Sequence, residues 1–391
     1  MKVLFILLLL AFNCLVFGQV WEAKTGFPAL GRDDGIAFSI QNYGYCVTGK
    51  TGGFAESNKL FQYNAAANTW VEKASFKGEA RQYTAAFSIE DKAYLVGGYG
   101  KSNVGLAEVW CYDGTADTWI QKKDFPGGVR WGGFTFAIGA NGYFGCGTNA
   151  DTVHRDFWKY NPKDDSWVQL DDFMGGARRE GVACAASGFG FAGLGLKDYS
   201  VTGFYKDWYV FNPLTEQWGQ LVDYPGGYNA YGKAESGGDF VAVGTGMNEN
   251  QVFNNKFWRF DIKGWAWSTL PSMPGEAIRG AASFGLEQAV YMLTGLTENF
   301  DRSKQMYALQ IPAEILNFQV YPNPSEGLFH IQHNLGKSIL TLNIYTSTGA
   351  LVVAQKIQSD FYDYSFLKAG VYYLQLTAEN GAQITKRLVI L

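Results

Sequence analysis

The chain has 391 residues, 47% hydrophobic and 17% charged, with 48 glycines, 12 tryptophans and a net charge of −4. That balance supplies no broad basic surface for nucleic acid, and the length leaves room for two or three domains. Abundant glycine and aromatic residues with few charges suit short strands joined by many turns, an all-β composition.

Residues 1–18, MKVLFILLLLAFNCLVFG, open with Lys2 and an apolar run, and Val16 and Gly18 suit a signal peptidase site before Gln19. A transmembrane anchor is the competing reading. The run is short for a span, and Asn13 interrupts it. Phe12 and Asn13 are poor neighbours for lipidation of Cys14. No later stretch is apolar enough to cross a bilayer, so the mature chain is expected to carry no transmembrane segment.

From Gln19 a unit of about 50 residues recurs. Tryptophan stands at 21, 70, 119, 167, 218 and 267, with steps of 49, 49, 48, 51 and 49. Glycine stands at 49, 98, 147, 195, 246 and 295, with the same steps in the same order. Six residues after each Trp come Phe27, Phe76, Phe125, Phe173, Tyr224 and Met273. A fourth series runs Phe61, Trp110, Trp158, Tyr209, Trp258 and Tyr307. Chance matches would drift, and these do not. Each unit reads as four short strands.

These markers resemble the kelch repeat over residues 19–313, with the Gly-Gly pair of that repeat intact at Gly97-Gly98. The resemblance implies a six-bladed kelch-type β-propeller. The last repeat has Gly295 and Tyr307 but no Trp of its own, whereas Trp21 has no preceding strands. The segment around Trp21 is therefore expected to supply the outer strand of the last blade and close the ring, which removes an exposed edge.

Residues 17 before each repeat glycine begin the innermost strands and ring one mouth of the central channel. They are Arg32, Arg81, Arg130, Arg178, Asn229 and Ile278. Around them lie Tyr83, Trp131, Arg179, Glu180, Tyr228, Tyr231, Asp33, Asp34 and Arg279. The facing loops vary, the longest being that of the fourth repeat, LKDYSVTGFY. The ligand-binding set is Arg32, Arg81, Arg130, Trp131, Arg178, Arg179, Tyr83 and Tyr231. Guanidinium groups grip carboxylates through paired hydrogen bonds. The competing reading is structural: such an arginine can tie blades together through carbonyls and carboxylates. Both stand. The tryptophans read as wedges between blades.

The cysteines Cys46, Cys111, Cys146 and Cys184 fall in different repeats and read as small apolar strand residues. Their spacing supports neither a metal site nor a disulfide framework. His154 stands in a variable loop with Asp151 and Asp156, a solvated group. No His/Cys cluster and no Ser/His/Asp set is legible, so neither a metal nor another cofactor is expected and no residue is assigned a catalytic role. Galactose-oxidase-like proteins share kelch blades but need paired histidines for copper, which this chain lacks. Sialic acid mutarotases also resemble six kelch blades with arginines at the mouth, and a sugar-acid enzyme is the alternative to a binding module.

Near residue 314 the repeat stops. Residues 318–391 alternate apolar and polar residues between glycine and asparagine turns, as in a small Ig-like β-sandwich. Tyr321-Pro322-Asn323-Pro324, then Gly349, then Gly370 and Tyr372, then Lys386-Arg387 near the terminus, resemble the C-terminal sorting domain of type IX secretion cargo. The resemblance implies the type IX machinery as a partner and a secreted or outer-surface location. The whole reads as a secreted binding or adhesion module for a glycan or protein ligand.

Overall fold

The computed structural model describes residues 20–52, 55–199, 203–286, 289–311, 318–333, 341–356, 361–377 and 383–391. The expected signal peptide, residues 1–18, lies outside them. The chain divides into two compact units, one ending at Ile311 and one beginning at Pro312. Every regular element among the described residues is a strand.

The first unit is a six-bladed β-propeller. From the inside outward, the first blade is Ile36–Ile40, Tyr43–Val47, Leu60–Asn64 and Thr69–Lys73. The second to fifth blades repeat that antiparallel order, starting from Ala85–Ile89, Phe134–Ile138, Val182–Ala186 and Lys233–Ser236. The sixth is Ala282–Leu286, Ala289–Leu293 and Met306–Gln310, and its outermost strand is Trp21–Lys24 from the other end of the unit. There Trp21 faces Leu309 and Lys24 faces Met306. Innermost strands pack side by side in chain order, and the sixth returns to the first.

Local chemistry sets each blade. In the first five blades the third strand ends on Asn or Asp at the turn to the fourth. Asp113 Oδ1 accepts from the backbone of Thr115 and Ala116, and Asp261 Oδ1 accepts from Gly264. Phe27, Phe76, Phe125, Phe173, Tyr224 and Met273 are all buried between blades. Several indoles reach from an outer strand to the preceding blade: Trp70 donates to Thr25 O, Trp119 to Ala74 O, Trp267 to Val222 O, and Trp21 to Pro271 O at 2.8 Å. The tryptophans thus lock neighbours together as they fill space. The four propeller cysteines are buried free thiols.

Two closed rings of backbone hydrogen bonds run around the axis. In the first, each repeat glycine donates to the carbonyl that begins the next inner strand: Gly49 to Arg81, Gly98 to Arg130, Gly147 to Arg178, Gly195 to Asn229, Gly246 to Ile278, and Gly295 back to Arg32. In the second, Tyr83 donates to Asp34, Gly132 to Tyr83, Glu180 to Gly132, Tyr231 to Glu180, Gly280 to Tyr231, and Asp34 to Gly280, at 2.8 to 3.1 Å. All six members of the second ring have left-handed backbones, including Asp34, Tyr83, Glu180 and Tyr231. That conformation costs an L-residue on the order of 1 kcal/mol or more, and it persists where surrounding structure enforces it. Here the ring enforces it and turns these side chains toward the axis.

The second unit is a sandwich of two sheets. One is Phe318–Tyr321, Leu328–His333 and Phe361–Asp363. The other is Leu351–Lys356, Thr341–Thr346, Gly370–Thr377 and Gln383–Ile390. Between them lies a dry core that includes Phe329, Ile331, Leu342, Ile344, Leu374 and Leu388.

Candidate binding site at the channel mouth

The four arginines of the inner ring are enclosed. Arg32, Arg81, Arg130 and Arg178 are each 0–1% exposed. Each Nη1 donates to a carbonyl 16 residues on: Thr48, Gly97, Cys146 and Leu194, at 2.8 to 3.0 Å. Asn229 Nδ2 makes the same bond to Thr245 O at 2.9 Å. Three of the four also hold a carboxylate: Arg81 with Glu108, Arg130 with Asp156, and Arg178 with Asp207. Each guanidinium lies 4.4 to 5.3 Å from the ring of the phenylalanine five residues before it. Phe and Arg at this spacing thus form one staple in each of the first four blades, and cation–π attraction adds to the charged hydrogen bonds.

The remaining predicted residues stand closer to the mouth. Trp131 is half-buried, its ring 5.1 Å from that of Tyr99. Arg179 Nη1 donates to Tyr231 Oη at 3.0 Å and its Nε to Asp198 O at 3.0 Å, with the guanidinium 5.3 Å from the Tyr199 ring. Tyr83 and Tyr231, from opposite blades, bring their rings to 6.5 Å of one another and close the axis. The inner ring reads acid, tyrosine, glycine twice over: Asp34-Tyr83-Gly132, then Glu180-Tyr231-Gly280. A Cβ on Gly132 would collide with the Glu180 carboxylate, and one on Gly280 with that of Asp34. Each carboxylate therefore occupies the gap its neighbouring glycine leaves.

Off the axis, where the sixth blade meets the first and second, a cleft of about 310 Å³ opens on the mouth face. That volume reaches the lower end of the range for small-ligand sites. Its walls include Asp34, Gln82, Tyr83, Arg279 and Arg302, with Phe300 at the rim. Phe300 is 75% exposed, yet it is held on a tight turn in which its N–H donates to Thr297 O and Thr297 N–H donates to Asp301 O. Arg302 Nε is 2.5 Å from Asp33 Oδ1, a paired and largely buried contact. Arg279 lies 4.9 Å from the Tyr231 ring centre, and its Nη1 is 3.5 Å from Asp34 Oδ2. That Nη1 is buried without a hydrogen-bond partner among the described residues. Burial, and next the charge of Asp33, push the Asp34 carboxyl up to about 8. Of these groups the sequence reading named Tyr83 as a binding residue and Arg279 and Asp34 as neighbours. It missed Phe300, Arg302 and Gln82, which carry no repeat marker.

Deeper in the channel, Glu235 accepts from Ser283 Oγ at 2.7 Å and its carboxyl is pushed up to about 7, chiefly by burial. Charging it in the folded state costs up to about 3 kcal/mol, at about 1.4 kcal/mol per pH unit between its ordinary 4.5 and 7. That cost is absent below pH 4.5, where folded and unfolded chains both carry the proton, and complete above pH 7. The Glu235→Gln variant is expected to match the parent at pH 4 and to be more stable by about 2–3 kcal/mol at pH 8. Urea midpoints at the two pH values check this, and equal midpoints at pH 8 would refute it.

In the second unit the terminal motif is built around Asn323. Its Nδ2 donates to Arg387 O at 2.7 Å, and its Oδ1 accepts from Val389 N at 2.9 Å. The flanking Tyr321-Pro322 and Asn323-Pro324 peptides are both cis. Tyr321 stacks on His330, Lys386 Nζ lies 5.5 Å from the Phe318 ring centre, and Tyr372 Oη donates to Lys368 O. Gly349 turns the chain between two strands, its N–H bonded to Thr346 O, and Gly370 opens the long strand Gly370–Thr377. The four motifs thus meet within one sandwich, with the first hooked onto the last strand.

Residues 319–391 match the secretion system C-terminal sorting domain. No curated protein matches the chain. Its fold is similar to the solved structure of YjhT, with a TM-score of 0.63 and 12% identity over 79% of this chain and 99% of that one. At that identity the likeness shows the fold alone. The sorting domain marks the chain for type IX secretion and for the cell surface or the medium. Among the described residues no helix is long and apolar enough to cross a membrane, and no three His, Cys, Asp or Glu groups cluster to hold a metal.

Proposed function

We propose that the propeller is an extracellular kelch-type binding module that takes an anionic ligand, a sugar acid or an acidic peptide side chain, in the mouth cleft. The observation that carries this is the Arg279 Nη1, buried without a hydrogen bond among the described residues, in the wall of a cleft whose rim holds the exposed ring of Phe300. A carboxylate would accept from Arg279, and a sugar face would stack on Phe300. Arg179, Tyr83 and Tyr231 frame the same face. Arg32, Arg81, Arg130 and Arg178 hold the blades in this reading.

A panel of uronic-acid and sialic-acid glycans with Glu- and Asp-rich peptides tests it. Arg279→Ala is expected to weaken capture at least tenfold, in line with about 1.5–3 kcal/mol for a charged hydrogen bond. Phe300→Ala is expected to weaken glycans and spare peptides. Undiminished capture by Arg279→Ala would sink the assignment. A second reading rests on the protonated Asp34 carboxyl beside Arg279, which is suited to act as a general acid on a sugar acid. In that case the protein accelerates the approach of a sialic acid to anomeric equilibrium, which NMR follows directly. Removing residues 319–391 is expected to leave the propeller in the periplasm of a type IX-competent host, and normal surface levels would contradict that.

A further inference from the structure

Beneath the Tyr83–Tyr231 pair the axial channel widens into a cavity of about 130 Å³. Its walls break the rule of the repeat. The second residue of each inner segment after the ring is Ile36, Ala85, Phe134, Val182, Lys233 and Ala282, so one blade places a lysine where five place an apolar side chain. Two positions on, the residues are Phe38, Phe87, Phe136, Cys184, Glu235 and Phe284. In four blades that phenylalanine stacks on a tyrosine of the next strand, at 4.8 to 5.3 Å. In the fifth, Glu235 stands opposite Ala242 and the stack is gone. Exchanging an aromatic stack for two enclosed ionisable groups costs stability, and such departures collect at functional sites.

Lys233 faces Glu180, Asp34, Glu235 and Cys46, and burial lowers the pKa of its amine. Yet no hydrogen bond to Lys233 and no ion pair within 4 Å is formed by any described residue. The Lys233 side chain lines the cavity beside these acids. Burial weakens the repulsion that the surrounding acids exert on an incoming anion. Burial keeps a proton on Asp34 up to about 8 and on Glu235 up to about 7, and it raises Glu180 as well. These carboxyls line the cavity beside Lys233.

The entrance lies at the other end. The cavity shares Ala37, Ala86, Thr135, Ala183, Glu235 and Ser283 with a larger one of about 550 Å³ on the face opposite the mouth. The larger cavity is walled mainly by small and aromatic side chains, including Ala137 and Ala185. The route thus passes polar groups at its rim, Gln41, Asn42 and Ser88 among them, runs along alanines, and ends at Lys233.

We infer that this channel is a second binding site, for a small aliphatic carboxylate whose carboxyl reaches Lys233 and whose hydrocarbon tail rests on the alanine walls. Carbon-13-labelled acetate, propionate and butyrate, titrated into the full-length protein and followed by NMR, test it. Saturable binding that tightens from acetate to butyrate is expected. Lys233→Met, which suits the apolar surroundings, is expected to weaken it at least tenfold, and Ala86→Phe to block entry with Lys233 intact. Arg279→Ala is expected to leave it unchanged, so failure of the mouth cleft and failure of this site are told apart. Unaltered binding in Lys233→Met, inorganic phosphate binding as tightly as propionate, or no saturable binding would each overturn the assignment.

Discussion

Deleting residues 20–24 is expected to open the propeller. Trp21–Lys24 is the outer strand of the sixth blade, paired along its length with Met306–Gln310. Trp21 is buried, its ring 4.8 Å from that of Phe257 in the fifth blade and its indole bonded to Pro271 O. Losing a buried tryptophan alone costs about 3–5 kcal/mol. The deletion also leaves the Met306–Gln310 strand as an edge with unmet N–H and C=O groups, a template for association. A fall in the urea midpoint together with light-scattering aggregates is the expected result. A milder variant, Trp21→Ala, keeps the strand and should lose stability without aggregating. A deletion protein that melts with the parent and stays monomeric would show that the ring does not depend on this strand.

The fold class was legible in the sequence because two unrelated residue types, Trp and Gly, drift by the same steps. Only a repeated unit produces that. The two axial rings of hydrogen bonds were not legible as rings, since they join backbone groups, although the donors of the first are the repeat glycines. The arginine series was visible, but its partners were not. Glu108, Asp156 and Asp207 follow their arginines by 27, 26 and 29 residues, because the intervening loops differ in length. No fixed spacing announces the pair, and a guanidinium's direction cannot be read from its position. Phe300 and Arg302 carry no repeat signal, and only the turn at Thr297–Asp301 brings them to the cleft. Lys233 and Glu235 did leave a signal: aligned on the repeat glycines, these two positions hold ionisable residues in one blade and apolar ones in the other five. Composition hides that contrast, since it averages over blades.

Arg130→Ala is expected to lower stability by about 3–5 kcal/mol, the usual result of removing one partner of a buried ion pair. Arg130 Nη1 donates to Cys146 O at 2.8 Å and to Asp156 Oδ1 at 2.6 Å, and Nη2 donates to Gly127 O and to Asp156 Oδ2, each at 3.1 Å. Truncation leaves the Asp156 carboxylate without its main countercharge and two buried carbonyls without donors. For a unit of this size that is a fall in melting temperature on the order of 10 °C. Lysine is a poor substitute, because a compact ammonium cannot bridge both carboxylate oxygens and the Cys146 and Gly127 carbonyls together. Arg130→Met with Asp156→Leu removes both charges, and it should recover part of the loss, since an apolar pair of similar volume often replaces a buried ion pair at little cost. Capture of acidic glycans or peptides by whatever fraction stays folded should equal the parent's, because Arg130 is enclosed and does not line the cleft. If Arg130→Ala instead melted with the parent and lost that capture, Arg130 would belong to the ligand rather than to the blade.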